Sequence, residues 1–116
     1  MELIMKKLVM ALCFLTVVIN CVIGGQVNDV KGIWIDVRTA GEYKSGHIED
    51  AINIPYKEIG RKIESVAKNK DEKIFLYCES GRRSGIAKEI LDKMGYLNVI
   101  NAGGYEEIKK RQNKAE

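Results

Sequence analysis

The sequence predicts a single α/β domain, a mostly parallel sheet flanked by helices. Three observations carry that expectation. Short apolar runs of strand length alternate with segments whose apolar residues recur at helical spacing. Cap and turn residues stand at the junctions between them. The chain has 116 residues, 46% hydrophobic and 30% charged, which suffices for one globular domain and not two.

The elements follow in order. Residues 32–37, GIWIDV, are a short apolar run ending in an acid and read as a buried strand. TAGE, residues 39–42, has the capping-box pattern, a hydroxyl and then a carboxylate three positions on. The helix it opens is short, because Gly46 closes it. AINIP, residues 51–55, is a second short strand, stopped by the chain's only proline. Between Tyr56 and Ala67 the apolar residues Ile59, Ile63, Val66 and Ala67 keep helical spacing. KIFLYC, residues 73–78, is a third and strongly apolar strand. From Ser84, a good N-cap residue, the positions Ile86, Ala87, Ile90, Leu91 and Met94 fall on one helical face, and Gly95 ends the run. LNVIN, residues 97–101, is a fourth strand, and the glycines at 103 and 104 turn the chain into a last helix.

The first 25 residues have a different character. Lys6 and Lys7 precede an apolar run from Leu8 to Ile19, and the small residues Gly24 and Gly25 follow. That is the order of a secretory signal peptide, and the run is short for a bilayer span of roughly 20 residues. The expected organisation is therefore a leader over 1–25 and a domain over 26–116, exported and periplasmic. Two alternatives stand beside cleavage: an uncut membrane anchor, or a lipoprotein joined at Cys21, where Asn20 occupies the place of an expected small residue. A membrane role is expected only through that N-terminus. Removal of the leader takes Cys13 and Cys21 with it, so Cys78 is left as the one thiol and has no internal disulfide partner.

The candidate catalytic residue is Cys78. It ends the third strand, and ligands in open α/β sheets bind beyond the carboxyl ends of strands. The loop after it holds Glu79, Ser80, Gly81, Arg82, Arg83 and Ser84, the candidate substrate-binding set. A tight turn before a helix aims backbone N–H groups inward, and the helix terminus adds partial positive charge. With two guanidinium groups nearby, such a place lowers a thiol's pKa and receives an anion. A second interpretation stays open on these residues alone: a free Cys at a strand end is also a small, inert core residue.

Other classes are excluded. The net charge of +3 comes from interleaved Lys and Glu, without the basic stripe and aromatics of a nucleic-acid binder. One His and one mature Cys do not make a zinc site, and no other cofactor is called for. Phosphatases of the Cys-x5-Arg type place arginine six residues after the thiol; here that position is Ser84, and Arg83 is at five. The loop is one residue short for phosphate.

Residues 34–55, WIDVRTAGEYKSGHIEDAINIP, resemble the opening of rhodanese-like domains, and residues 76–108, LYCESGRRSGIAKEILDKMGYLNVINAGGYEEI, resemble their active-site half. The match is strongest to the small, exported, single-domain type. The resemblance implies a rhodanese-like fold and a thiosulfate sulfurtransferase. In such enzymes the loop Cys takes a sulfane sulfur from a small anionic donor such as thiosulfate, holds it as a persulfide and passes it to cyanide or another thiophilic acceptor. Sulfite leaves as a stable anion, so no general acid is required. His47 then belongs to a structural GHI turn. Asp36 and Arg38, in the DVR run, are expected to bond neighbouring loops. Glu79 is expected to face solvent, since a carboxylate beside the thiol opposes ionisation. Either Arg82 or Arg83 meets the donor's sulfonate. The implied alternative to an enzyme is a persulfide carrier or binding module that serves a partner protein.

Overall fold

The computed structural model describes residues 31–115. The expected leader, its cleavage region and Cys13 and Cys21 lie outside the described residues. The described chain contains four strands: β1 (Ile33–Asp36), β2 (Ile52–Asn53), β3 (Lys73–Cys78) and β4 (Asn98–Gly104). The four helices are α1 (Ala40–Ser45), α2 (Ile59–Val66), α3 (Arg82–Lys93) and α4 (Tyr105–Ala115), with a 3-10 turn at Tyr56–Glu58. All strand pairs are parallel and the sheet order is β2-β1-β3-β4. The chain winds outward one way from β1 to β2 and the other way from β3 to β4. The switch point is therefore the crevice beyond the carboxyl ends of β1 and β3, where α/β sheets bind ligands.

Strand β3 is central, and its alternation builds two cores. Ile74, Leu76 and Cys78 face one side and join Ile35, Ile59, Ile63, Ala87 and Leu91, under α2 and α3. Phe75 and Tyr77 face the other. Tyr77 packs there with Ile48, Ala51 and Ile108 of α4, and Phe75 stacks on Trp34 of β1 with ring centroids 4.6 Å apart. Each fully buried aliphatic side chain contributes roughly 1.5–3 kcal/mol, so a strand buried on both faces is the most firmly held support a site can have.

Several boundaries differ from the sequence expectation. The capping box at Thr39 and Glu42 and the end of α1 at Gly46 are as expected. Strand β2 has two residues rather than five, because Ala51 turns back to bond Ile48 and Pro55 has no N–H to continue the ladder. The segment after Pro55 starts as a 3-10 turn and becomes an α-helix only at Ile59. Strand β4 runs on through Gly103 and Gly104, which pair with Tyr77 and Cys78 past an irregularity at Leu76/Tyr77. Helix α3 opens at Arg82, so Ser84 is not its N-cap. Gly81 is, in a left-handed conformation with φ of 96°, and its carbonyl accepts the Gly85 N–H at 3.0 Å. The Ser84 hydroxyl is engaged elsewhere, in the site itself.

Candidate active site

Cys78 is fully buried where β3 ends. The Gly81 N–H donates to its Sγ at 3.0 Å, and Ser84 Oγ lies 3.4 Å away on the first turn of α3. Cys78 is a core residue by its burial, but unlike an inert core thiol its sulfur also meets polar partners. Burial pushes the thiol pKa up. Hydrogen bonds that the thiolate can take from the Ser84 hydroxyl and from the N–H groups of Ser84, Ser80 and Gly81 pull it down, and the net direction is below the usual value. The cradle requires Gly81, whose positive φ costs an L side chain strain. It also requires Gly104: a Cβ there would stand 2.5 Å from the Glu79 carbonyl oxygen, so the end of β4 backs directly on the loop.

The two arginines are placed differently. Arg83 reaches across to α1 and donates through Nη1 and Nη2 to the two carboxylate oxygens of Glu42, at 2.8 and 3.0 Å. This contact raises the Arg83 pKa, with a further contribution from the charge of Cys78. The same contact, with the Thr39 N–H and hydroxyl assisting, brings Glu42 down to about 2. Arg82 is exposed and makes no ion pair among the described residues. A cavity of about 310 Å³ lies beside Arg83, lined also by Val37, Thr39, Pro55, Tyr56 and Lys57.

Asp36 and Arg38 do link neighbouring loops. Arg38 is 3% exposed and donates to Asp36 through Nε and Nη2, to the Gly46 carbonyl at 2.6 Å and to Glu79 Oε2 at 3.1 Å. Its guanidinium also lies 4.6 Å from the Tyr105 ring centroid. Glu79 is half exposed, as its expected outward course requires, but its carboxylate is turned to Arg38 rather than left to solvent. His47 is exposed, stacks on Tyr43 at 3.6 Å and donates from Nδ1 to the Tyr43 carbonyl, a structural set of contacts.

The structure adds a residue that sequence reasoning passed over. Asn101, on β4, accepts the Ser84 hydroxyl proton at 2.7 Å and the Gly103 N–H at 3.1 Å on its Oδ1, and donates from Nδ2 to the Gly81 carbonyl at 3.0 Å. The only signal for it was a polar side chain followed by small residues at the end of an apolar strand. Glu42 was legible as a cap and not as the anchor of Arg83.

A buried thiol in a turn of N–H donors, at the switch point of a small parallel sheet, defines a rhodanese-like protein, and the rhodanese-like domain model matches residues 24–111. The chain belongs to the rhodanese-like domain family. It is 48% identical over 75 residues to the thiosulfate sulfurtransferase PspE of Escherichia coli (strain K12), an alignment that covers 65% of this chain and 72% of that protein. A solved structure described as rhodanese with anions from E. coli superposes with a TM-score of 0.62 at 47% identity, over 64% of this chain and 87% of that one. The human single-domain sulfurtransferase TSTD1 shares the fold, with a TM-score of 0.61 at 21% identity over 76% of this chain and 89% of its own.

Proposed function

We propose that this chain is a thiosulfate sulfurtransferase that moves sulfane sulfur through a persulfide on Cys78. The observation that carries this is the geometry at Sγ: a buried sulfur with the Gly81 N–H 3.0 Å away, at the end of the central strand. The 48% identity to a thiosulfate sulfurtransferase supports the same activity.

The chemistry follows from the site. The Cys78 thiolate attacks the outer sulfur of thiosulfate. A bond forms between Sγ and that sulfur, the sulfur–sulfur bond of the donor breaks, and sulfite departs with the electron pair. The N–H cradle compensates the negative charge as it moves to the outer sulfur of the persulfide. A thiophilic acceptor, cyanide in the simplest assay, then attacks the outer sulfur and returns the electron pair to Sγ. Arg82 draws in the anionic donor, since Arg83 is already engaged by Glu42. Ser80, Gly81 and Ser84 supply the cradle, and Glu79 ties it to Arg38. The leader pattern supports export to the periplasm with residues 1–25 removed, which N-terminal sequencing of the mature protein tests.

The deciding experiment is intact mass before and after thiosulfate. The protein gains the mass of one sulfur atom, and cyanide removes it as thiocyanate over many turnovers. Cys78→Ser does neither while keeping its fold. Loading without turnover makes the chain a carrier, and failure to load from any sulfane donor leaves a binding module.

A further inference from the structure

A hydroxyl has one proton to give, and that of Ser84 has two claimants. Ser84 Oγ donates to Asn101 Oδ1 at 2.7 Å and stands 3.4 Å from Cys78 Sγ. While its proton lies on Oδ1, the hydroxyl can only accept from sulfur, which suits a protonated thiol: S–H to Oγ, then O–H to Oδ1. A thiolate has no proton and needs a donor. The hydroxyl then has to turn from Oδ1 to Sγ, and Asn101 retains the Gly103 N–H at 3.1 Å as partner for its vacated oxygen.

We propose that Asn101 is a positioning residue for Cys78, acting through Ser84: its side-chain carbonyl holds the Ser84 proton while Cys78 is a thiol and releases it to sulfur when Cys78 ionises. Each ionisation of the nucleophile thus includes a hydroxyl rotation, and Asn101 sets how much sulfur must compete for that donor. The inference bears on the persulfide chemistry proposed above, but it concerns the ionisation of the thiol and is measured without any sulfur donor.

The other groups around the sulfur are charged and stay constant in the comparison. Arg83 faces it from α3 and is bound to Glu42 of α1, with Arg82 beside it. Glu79 adjoins it on the loop and is paired with Arg38 at the end of β1. Glu107 of α4 lies beside Gly103, and β4 brings no charged side chain between Asn101 and Gly104. Loss of the Asn101 side chain leaves the Gly81 carbonyl its bond from the Gly85 N–H at 3.0 Å, so the turn keeps a tie to α3.

The test is the pH dependence of iodoacetamide alkylation, followed on the Cys78 peptide by mass spectrometry in the full chain. In Asn101→Ala the Ser84 proton is free for sulfur in both states, so the midpoint falls and the thiolate-to-thiol ratio at fixed pH rises about three- to tenfold. In Ser84→Ala the midpoint rises. In the Ser84→Ala background, Asn101→Ala changes nothing further. An unchanged or raised midpoint in Asn101→Ala overturns the proposal. An equal shift in the absence of the Ser84 hydroxyl overturns it too, because the effect then runs through the backbone. Should Asn101→Ala not fold, Asn101→Asp decides when it is compared with and without the Ser84 hydroxyl. Its charge raises the midpoint in both backgrounds, the stronger acceptor adds a further rise only where the hydroxyl is present, and equal rises in the two backgrounds sink the idea.

Discussion

Arg83 holds Glu42 with both terminal guanidinium nitrogens, across 41 residues of chain. The contact ties the first turn of the helix after Cys78 to the first turn of the helix after β1. Glu42 also closes the capping box of α1, so one carboxylate serves both helix starts. Glu42→Gln separates these roles: the amide oxygen still accepts from Thr39, but the charge that engages Arg83 is gone. The expected outcome is a lower KM for thiosulfate, because a second cation becomes available to the donor, with a stability loss of no more than about 1 kcal/mol. A raised KM in steady-state kinetics would mean that Glu42 aims Arg83 at the substrate instead.

The same pair gives a pH signature. Glu42 is held at about 2 in the folded chain against an ordinary 4.5, chiefly by the Arg83 contact. A carboxylate with a depressed pKa stabilises the fold fully above its unfolded value and loses that contribution as pH falls through its folded value. Chemical denaturation of wild type and Glu42→Gln should therefore show a constant difference above about pH 4.5 that closes on the way to about pH 2. A difference that widens in acid contradicts the assignment.

Arg82 and Arg83 should not be equivalent. Loss of a charge-assisted contact to an anion costs about 1.5–3 kcal/mol, roughly a ten- to hundredfold change. Arg82→Ala is expected to raise the thiosulfate KM on that scale, and Arg83→Ala by less, since its charge is already compensated by Glu42. Single-variant kinetics settle the order, and a larger effect at Arg83 reverses it.

Asp36→Ala should be the most destabilising of these changes. Asp36 is fully buried and takes three hydrogen bonds from the Arg38 side chain and one from its backbone N–H. Removal of one partner of a buried ion pair leaves an uncompensated charge and costs about 3–5 kcal/mol. Urea titration measures this directly. A loss under about 1 kcal/mol would show that Glu79, the Gly46 carbonyl and Tyr105 suffice to hold the guanidinium.

What was legible in the sequence was what local pattern determines. The apolar run of β3, the capping box at Thr39 and Glu42, and the terminating Gly46 and Gly95 are short-range signals, and each was placed correctly. The loop Cys was legible because strand end, glycine and arginines coincide within a few residues. What was not legible depends on tertiary placement. Ser84 looks like an N-cap by residue type, yet the helix opens earlier because Gly81 takes the left-handed conformation and sulfur and Asn101 engage the hydroxyl. The partners Glu42 and Arg83, or Asn101 and Ser84, are far apart in the chain and meet only once β1, β3 and β4 lie side by side. The length of β4 was missed because glycines read as a turn, whereas here they let backbone approach backbone.

Gly104 sets a limit on what this scaffold can become. With a Cβ at that position already 2.5 Å from the Glu79 carbonyl, the span between Cys78 and α3 is bounded by the neighbouring strand as well as by its own residues. An added residue in the turn, the change that would move an arginine to the sixth place after the thiol, has no room to bulge toward β4. It must push α3 away or lift the turn off the sheet, and either movement withdraws the N–H groups from sulfur. A longer turn is thus opposed by a wall of bare backbone, and any redesign that lengthens it has to rebuild the end of β4 first.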